Sequence, residues 1–222
     1  MKFSERLKEA AGPILDAQLK HPFVKGLADG TLPLDKFRYY MIQDSLYIVD
    51  YARAMAWVAP LMPDVDGILA MLDAAKETFK TEAMLKEHYF EQFGITMEDA
   101  LKAELAPTCK AYVDHLFRYS RNGTLAEGMA AILPCGWVYF EIGRMFTAGK
   151  EIPEDHPYKP WLMTYAVPEF QDMVNWWFQV LEGAVEGYPE VELAHVEDVF
   201  RTSCRYEWMF WDLGWNKQEW RL

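Results

Sequence analysis

Apolar residues recur at helical spacing along almost the whole chain, and this periodicity limits the fold more than any other feature. No segment has the sustained alternation of apolar and polar residues that is typical of a half-buried β-strand. Proline and glycine residues separate the helical segments, and the connections between them are short, as in a helical bundle. The sequence therefore predicts an all-α fold, a single-domain helical bundle that occupies residues 1–222.

Ordinary start and stop signals set the ends of the predicted helices. Two corners come early in the chain, at His21-Pro22-Phe23 and at Asp29-Gly30-Thr31-Leu32-Pro33. Gly12-Pro13 predicts a local disturbance in the first helix. The predicted helices cover about residues 4–20, 33–59, 64–93, 107–122, 125–148, 158–165, 168–182 and 189–211.

The charge balance of the chain excludes several classes of partner. The chain has 22 basic and 34 acidic residues, a formal net charge of −12, and no basic block, so the electrostatic footprint of a nucleic-acid-binding protein is missing. No stretch approaches the ~18 consecutive apolar residues of a membrane span, and the N-terminus lacks the apolar run of a signal peptide. Three cysteines without metal-ligand spacing are too few for a disulfide framework. We expect a cytoplasmic protein with no nucleic-acid partner and no membrane association.

Cys135 lies on the inward face of the helix predicted over 125–148, one turn from Tyr139. Pro134 removes a backbone donor and crowds the preceding turn, so irregular backbone is expected beside the thiol. A free cysteine is usually a small buried hydrophobic residue, and that interpretation stays open beside a reactive thiol. The inward face comprises Gly128, Ile132, Cys135, Tyr139, Ile142 and Phe146.

Two acidic residues, Asp44 and Glu207, interrupt otherwise apolar helix faces. A carboxylate in an apolar wall is costly unless it is paired or hydrogen-bonded. Asp44 pairs either with a nearby arginine or tyrosine hydroxyl, or with a ligand whose two adjacent donors match its two oxygens. Glu207 either forms a core salt bridge to Arg205 or Arg53, or has a pKa that burial raises, which would suit it to both give and take protons.

Aromatic residues make up 15% of the chain, and 9 of them are tryptophans. Such enrichment suits a large oligomer interface or a pocket that stacks on a flat ligand. The five histidines, by contrast, share no ligand spacing, and no two helices supply the matched Glu-x-x-His pairs of a di-metal site. The sequence predicts no metal site.

Short motifs follow one another in a specific order over nearly the whole chain. They are His21-Pro22-Phe23-Val24-Lys25-Gly26, Asp29-Gly30-Thr31-Leu32-Pro33, Tyr39-Tyr40, Gln43-Asp44-Ser45, Pro107-Thr108 with Ala111-Tyr112, Leu133-Pro134-Cys135 with Trp137, Tyr139 and Glu141-Ile142-Gly143, and Tyr206-Glu207 with Phe210-Trp211. In this order they closely resemble the TenA family, thiaminase II. The resemblance implies a fold like that of heme oxygenase, usually assembled as a homotetramer. It also implies an aminopyrimidine aminohydrolase of thiamin salvage that cleaves thiamin and needs no metal or organic cofactor.

The resemblance also implies roles for individual residues. Cys135 would be the nucleophile that adds to the pyrimidine ring, Glu207 would move protons, and Asp44 would bind the ring nitrogen and exocyclic amine. Tyr139 would position the thiol or the substrate. The remaining aromatic residues that would line the ring and stack on it are Tyr47, Tyr112 and Tyr165.

Two other functions remain open at the level of sequence. One is a metal-dependent oxidase or oxygenase on the same fold. The other is a non-catalytic pyrimidine-binding or regulatory protein, for which the acidic net charge opposes any contact with DNA.

Overall fold

The computed structural model of the chain describes residues 1–149 and 151–221. Within these two ranges the chain forms α-helices, with one short 3₁₀ turn at Ala59–Leu61 and no strand. The predicted all-α class is confirmed. The helices are α1 (Phe3–Leu19), α2 (Pro22–Asp29), α3 (Leu34–Val58), α4 (Val65–Phe93), α5 (Met97–Leu101), α6 (Pro107–Asn122), α7 (Leu125–Thr147), α8 (Lys159–Thr164), α9 (Pro168–Ala184) and α10 (Glu190–Asn216).

The ends of the long helices lie where the sequence signals predict them. The Asp64 side chain caps α4 by accepting a hydrogen bond from the backbone N–H of Gly67, and Gly94 ends that helix with a φ of 64°. Pro107 and Pro168 occupy the first positions of α6 and α9, where the missing N–H costs nothing. The last helix runs five residues beyond its predicted end at residue 211, to Asn216.

Two short helices, α2 and α5, are not among the predicted helices: the sequence indicates only corners around α2, and no helix between residues 93 and 107. Each is too short for a periodic apolar pattern to identify it. In α2 the His21 ring accepts a hydrogen bond from the backbone N–H of Phe23, and Gly30 ends the helix in the left-handed region. The helix α1 continues through Pro13 without a break.

The cysteine-bearing helix α7 is the central helix of the bundle, and it packs against α3, α6, α9 and α10. By length and composition alone it could cross a membrane, but 78% of its most apolar window is buried inside the protein. Its apolar character is therefore that of a core helix.

Two glycines of α7 let other elements approach it closely. A Cβ at Gly136 would lie 2.7 Å from a ring atom of Trp177 on α9, and one at Gly143 would lie 3.1 Å from the backbone of Tyr165. A larger residue at either position would push α9 or the segment after α8 away from α7. The small residues therefore bring Tyr165 and Trp177 against the same helix that carries Cys135.

Candidate active site

A narrow cavity of about 30 Å³ lies between α3, α4, α7, α9 and the segment that joins α8 to α9. Five of the residues proposed from the sequence line it, namely Asp44, Tyr47, Cys135, Tyr139 and Tyr165. The remaining lining residues are Ile48, Tyr51, Thr78, Glu82, Gly136, Phe170, Met173 and Trp177. The cavity thus brings together residues that are up to 133 positions apart in the chain, from Asp44 to Trp177.

Glu207 and Tyr112, the other two residues proposed from the sequence, lie behind the cavity wall. The Tyr112 hydroxyl donates a hydrogen bond of 2.5 Å to Oε1 of Glu207. The Tyr112 ring stacks on that of Tyr47, with 5.1 Å between the centroids. Tyr112 is therefore placed to hold Glu207 and to support Tyr47, rather than to stack directly on a ligand.

The Cys135 thiol lies deep in the protein, but the cavity leaves its side chain partly accessible. Burial raises the pKa of this thiol well above its ordinary value, the Glu207 carboxylate raises it further, and the Tyr47 hydroxyl opposes these effects. A thiol in this environment is protonated at neutral pH. It needs a neighbouring base before it can act as a nucleophile.

Glu207 has the properties of such a base. Burial raises its pKa to about 8, whereas the hydrogen bond from Tyr112 lowers it and the charge of Asp44 raises it. A carboxyl group with this pKa can both take and give a proton near neutral pH. The alternative of a salt bridge to Arg205 or Arg53 is wrong, because each of these arginines pairs with an aspartate of its own helix.

Asp44 pairs with a buried lysine, Lys86 of α4, instead of the arginine or tyrosine expected from the sequence. Its Oδ2 lies 2.7 Å from Nζ of Lys86, and the same Nζ lies 2.6 Å from Oε2 of Glu82. The Tyr165 hydroxyl donates a hydrogen bond of 2.7 Å to the other oxygen of Glu82. We call Asp44, Lys86 and Glu82 the buried ion triad.

The three charges of this triad act strongly on one another because all three groups are buried. Burial raises the pKa of Asp44 to about 6, although the adjacent Lys86 ammonium lowers it and Glu82 raises it. Burial alone would lower the pKa of Lys86, but the two carboxylates together raise it above its ordinary value. Two carboxylates against one ammonium give the triad a formal charge of −1, so the cavity wall favours a ligand that brings positive charge.

Sequence reasoning missed Lys86 and Glu82 as functional residues. A signal was present, because both fall on the buried face of α4 with Met71, Ala75, Leu85 and Tyr89. A buried lysine is rare unless it is paired, and its four-residue spacing from Glu82 fits a pair on one helix face.

Replacing Lys86 with methionine is expected to lower the free energy of unfolding by about 3–5 kcal/mol, because two buried carboxylates lose their shared cation. Urea denaturation at pH 7 measures this change. Lys80→Met is the matched control on the same helix, since Lys80 is exposed and its ion pair with Glu77 lies at the surface. A Lys86→Met protein as stable as the wild type would contradict the energetic role given to the triad.

Hydroxyl groups fix the other aromatic walls of the cavity. The hydroxyls of Tyr139 and Tyr40 are 2.8 Å apart, and the Tyr139 and Tyr165 rings meet edge to face with 4.9 Å between their centroids. Among the described residues that line the cavity, Tyr47 and Thr78 each have a hydroxyl that is buried without a hydrogen-bond partner. A buried hydroxyl without a partner is costly, so Tyr47 is a group that a ligand can satisfy.

Two backbone carbonyl oxygens in the turn of α7 before Pro134 accept hydrogen bonds from side chains of other helices. The Tyr51 hydroxyl donates to the carbonyl oxygen of Ile132 at 2.9 Å, and the Ser203 hydroxyl donates to that of Ala131 at 2.9 Å. These bonds occur in the turn that the proline ring crowds. They tie α3 and α10 to α7 beside Cys135, which keeps Tyr51 and the helix of Glu207 close to the thiol.

No three His, Cys, Asp or Glu side chains converge as a metal site within residues 1–149 and 151–221.

Residues 8–217 match the model of the TENA/THI-4/PQQC family. A relative from Halalkalibacterium halodurans, named aminopyrimidine aminohydrolase, is 36% identical, and the match covers 99% of this chain and 98% of the relative.

Solved structures with similar folds were also found. A TenA homologue from P. horikoshii has a TM-score of 0.86 at 26% identity, over 97% of this chain and 99% of that one. A domain of unknown function from Shewanella denitrificans, described as having a heme oxygenase-like fold, has a TM-score of 0.71 at 15% identity, over 96% of this chain and 92% of that one. The predicted likeness to the heme oxygenase fold is confirmed.

Proposed function

The chain belongs to the TENA/THI-4/PQQC family, and on this premise we propose that it is an aminopyrimidine aminohydrolase that also cleaves thiamin, in thiamin salvage. Its substrate is a pyrimidine that carries an aminomethyl group, and its products are ammonia and the hydroxymethyl pyrimidine. The observation that carries the proposal is one cavity lined by both Asp44 and Cys135, with Glu207 directly behind it.

Asp44 binds the substrate by the edge that carries a ring nitrogen next to an exocyclic amine. A carboxylate matches such an edge with two parallel hydrogen bonds. Lys86 keeps Asp44 charged, and the aromatic rings of Tyr47, Tyr139 and Tyr165 supply flat apolar walls for the heterocycle.

The reaction begins when Glu207 takes the proton of Cys135 and the thiolate sulfur forms a bond to a ring carbon. Electron density pushed into the ring then breaks the bond between the methylene carbon and the amine nitrogen. The amine leaves with the electron pair and takes the proton from Glu207, which forms ammonia. Covalent addition divides one difficult displacement into two easier steps.

Water completes the exchange. Its oxygen bonds to the exocyclic methylene carbon while its proton passes to Glu207. The electron pair returns through the ring and breaks the bond between carbon and sulfur. Glu207 then returns the proton to Cys135, so the enzyme ends in its starting state.

The direct test is to incubate the purified protein with the aminomethyl pyrimidine and, separately, with thiamin. We expect release of ammonia and hydroxymethyl pyrimidine in equal amounts from the first substrate, and of hydroxymethyl pyrimidine from the second. Binding of the substrate without turnover would instead support the non-catalytic pyrimidine-binding alternative.

We also propose that the chain acts as one domain, in the cytoplasm, as a homotetramer. Helices from α1 to α10 contribute to a common apolar core, and the three cysteines are free. Four apolar residues on one face of α4 are exposed and suit an interface, namely Val65, Leu69, Leu72 and Phe79. Sedimentation equilibrium measures the assembly, for which we expect four chains.

A further inference from the structure

Glu82 uses both of its carboxylate oxygens inside the protein, and each contact leads to a residue that the proposed function places against the substrate. Oε1 accepts the hydrogen bond of 2.7 Å from the Tyr165 hydroxyl, and Oε2 lies 2.6 Å from Nζ of Lys86. The same Nζ lies 2.7 Å from Oδ2 of Asp44. A continuous series of polar contacts therefore runs from the aromatic wall of the cavity, through Glu82 and Lys86, to the carboxylate that binds the amine edge.

Every member of this series is deeply buried. Asp44 and Glu82 line the cavity but are only 6% and 7% exposed, whereas Lys86 is fully buried and does not line it. Solvent therefore screens their interactions weakly, and it does not replace a partner that is lost. Moving any one of these side chains costs the hydrogen bonds of its neighbours, so the positions of Tyr165 and Asp44 depend on each other through Glu82.

The hydrogen bond to Glu82 restricts Tyr165 more closely than its packing contacts do. The Tyr165 backbone lies against Gly143, and its ring meets that of Tyr139 edge to face with 4.9 Å between the centroids. Contacts between aromatic rings are favourable over centroid distances of about 4.5–7 Å. A hydrogen bond between two oxygens tolerates only about 2.5–3.0 Å. Glu82 therefore fixes the hydroxyl end of the ring, which packing alone would leave less defined.

The charge of Glu82 acts on Asp44 as well. Burial raises the pKa of Asp44 to about 6, the Lys86 ammonium opposes this shift, and the Glu82 carboxylate adds to it. The other titratable groups of the described chain that face Asp44, from its own helix and from those around it, are Tyr40, Cys109, Cys135, Tyr139, Tyr165 and Glu207. Burial raises the pKa of each of these six groups, so all of them are neutral near pH 6. Glu82 and Lys86 are therefore the charges that decide where Asp44 ionises.

We propose that Glu82 is a positioning residue, which holds Tyr165 through one oxygen and the pair of Lys86 and Asp44 through the other, and so fixes the distance between the aromatic wall and the carboxylate that binds the pyrimidine. The inference rests on the proposed function, since it aligns two groups that bind the same substrate. Glu82 forms and breaks no bond of the substrate. The length of its side chain determines the geometry, and its charge determines the pH range in which Asp44 is ionised.

Two substitutions separate length from charge. Glu82→Asp keeps the charge but is one methylene shorter, so it cannot contact Tyr165 and Lys86 together. Glu82→Gln keeps the length without the charge, because its amide oxygen can accept from Lys86 and its amide nitrogen can donate to the Tyr165 hydroxyl. Glu87→Gln is the matched control, since Glu87 is exposed on the same helix. The measurement is the dissociation constant of the hydroxymethyl pyrimidine by titration calorimetry between about pH 5 and 8, with circular dichroism to establish folding.

The two variants are expected to change opposite features of the pH profile. Glu82→Asp should bind the pyrimidine about tenfold or more weakly at pH 8, the effect of losing a hydrogen bond to a charged group, but should keep the midpoint of the wild type. Glu82→Gln should bind within about threefold of the wild type at pH 8. Its loss of affinity on acidification should occur about one pH unit lower, because the carboxylate that raises the pKa of Asp44 is gone. Titration of the pyrimidine itself is common to all the proteins, so a displaced profile reports Asp44.

The Glu87→Gln control is expected to match the wild type in both affinity and midpoint. A Glu82→Asp protein that binds as tightly as the wild type at pH 8 would overturn the inference, and so would a Glu82→Gln protein whose profile does not move. A role of Glu82 in stability alone would weaken binding in both variants and move neither profile, which also overturns it. A wild-type protein that neither binds nor turns over a pyrimidine would overturn the proposed function, and this inference with it.

Discussion

Replacing Cys135 with alanine is expected to lower kcat for the aminomethyl pyrimidine by about three orders of magnitude or more. The variant has no sulfur to add to the ring, so the amine has no route to leave through an activated intermediate. Removing the thiol from a cavity wall costs little packing, because the side chain is partly accessible. The measurement is steady-state release of ammonia, with circular dichroism to establish that the variant is folded.

Cys109→Ala is the control for this experiment. Cys109 is fully buried on α6 and does not line the cavity, so its replacement is expected to leave turnover unchanged. Turnover by Cys135→Ala close to the wild-type rate would exclude covalent addition by this thiol. The cavity would then hold a substrate that reacts by direct attack of water.

Replacing Glu207 with glutamine is expected to lower kcat about 10²- to 10⁴-fold, because the amide cannot take the proton of Cys135. In the wild type only the ionised carboxylate is a base, and the buried group ionises with a pKa of about 8. We therefore expect kcat/KM of the wild type to rise with pH through about 8. The variant is expected to lose this rise, and a pH profile of kcat/KM for both proteins tests it.

The stability of the Glu207→Gln protein distinguishes loss of catalysis from loss of fold. The pKa of Glu207 rises from an ordinary 4.5 to about 8 on folding, so unfolded chains bind fewer protons between these values. Its contribution to stability is therefore greatest below pH 4.5 and is lost as the pH rises toward 8. Relative to the wild type, the variant should become more stable as the pH rises over this range. A variant that keeps both its activity and the rise near pH 8 would exclude Glu207 as the base.

The long helices could be predicted from the sequence because their caps and prolines are local signals. Asp64, Gly94, Pro107 and Pro168 act within one turn of the helix ends that they determine. In contrast, α2 and α5 span only eight and five residues. Helices of this length show too few turns for a periodic pattern, and their stability comes from packing.

Asp44, Cys135 and Glu207 could be proposed from the sequence because each is a polar group on an apolar helix face. Lys86 and Glu82 were missed although their spacing places them on the inward face of α4, because that helix carries many charged residues and Lys86 resembles its exposed lysines until the fold buries it. The position of Tyr112 behind Tyr47 could not be predicted from the sequence either. Helical spacing identifies an inward aromatic residue, but the distances between helices decide whether it faces a cavity or another ring.

The proposed mechanism requires a pyrimidine to bind beside Asp44 and Cys135. A crystal structure of the protein with the hydroxymethyl pyrimidine tests this directly. We expect the ring in the cavity between α3 and α7, with its ring nitrogen and exocyclic amine within about 3 Å of the Asp44 carboxylate. The Cys135 sulfur should face a ring carbon, at about 3.5 Å or less. A ring bound elsewhere, or one that turns its amine edge away from Asp44 and its carbons away from the sulfur, would contradict the account.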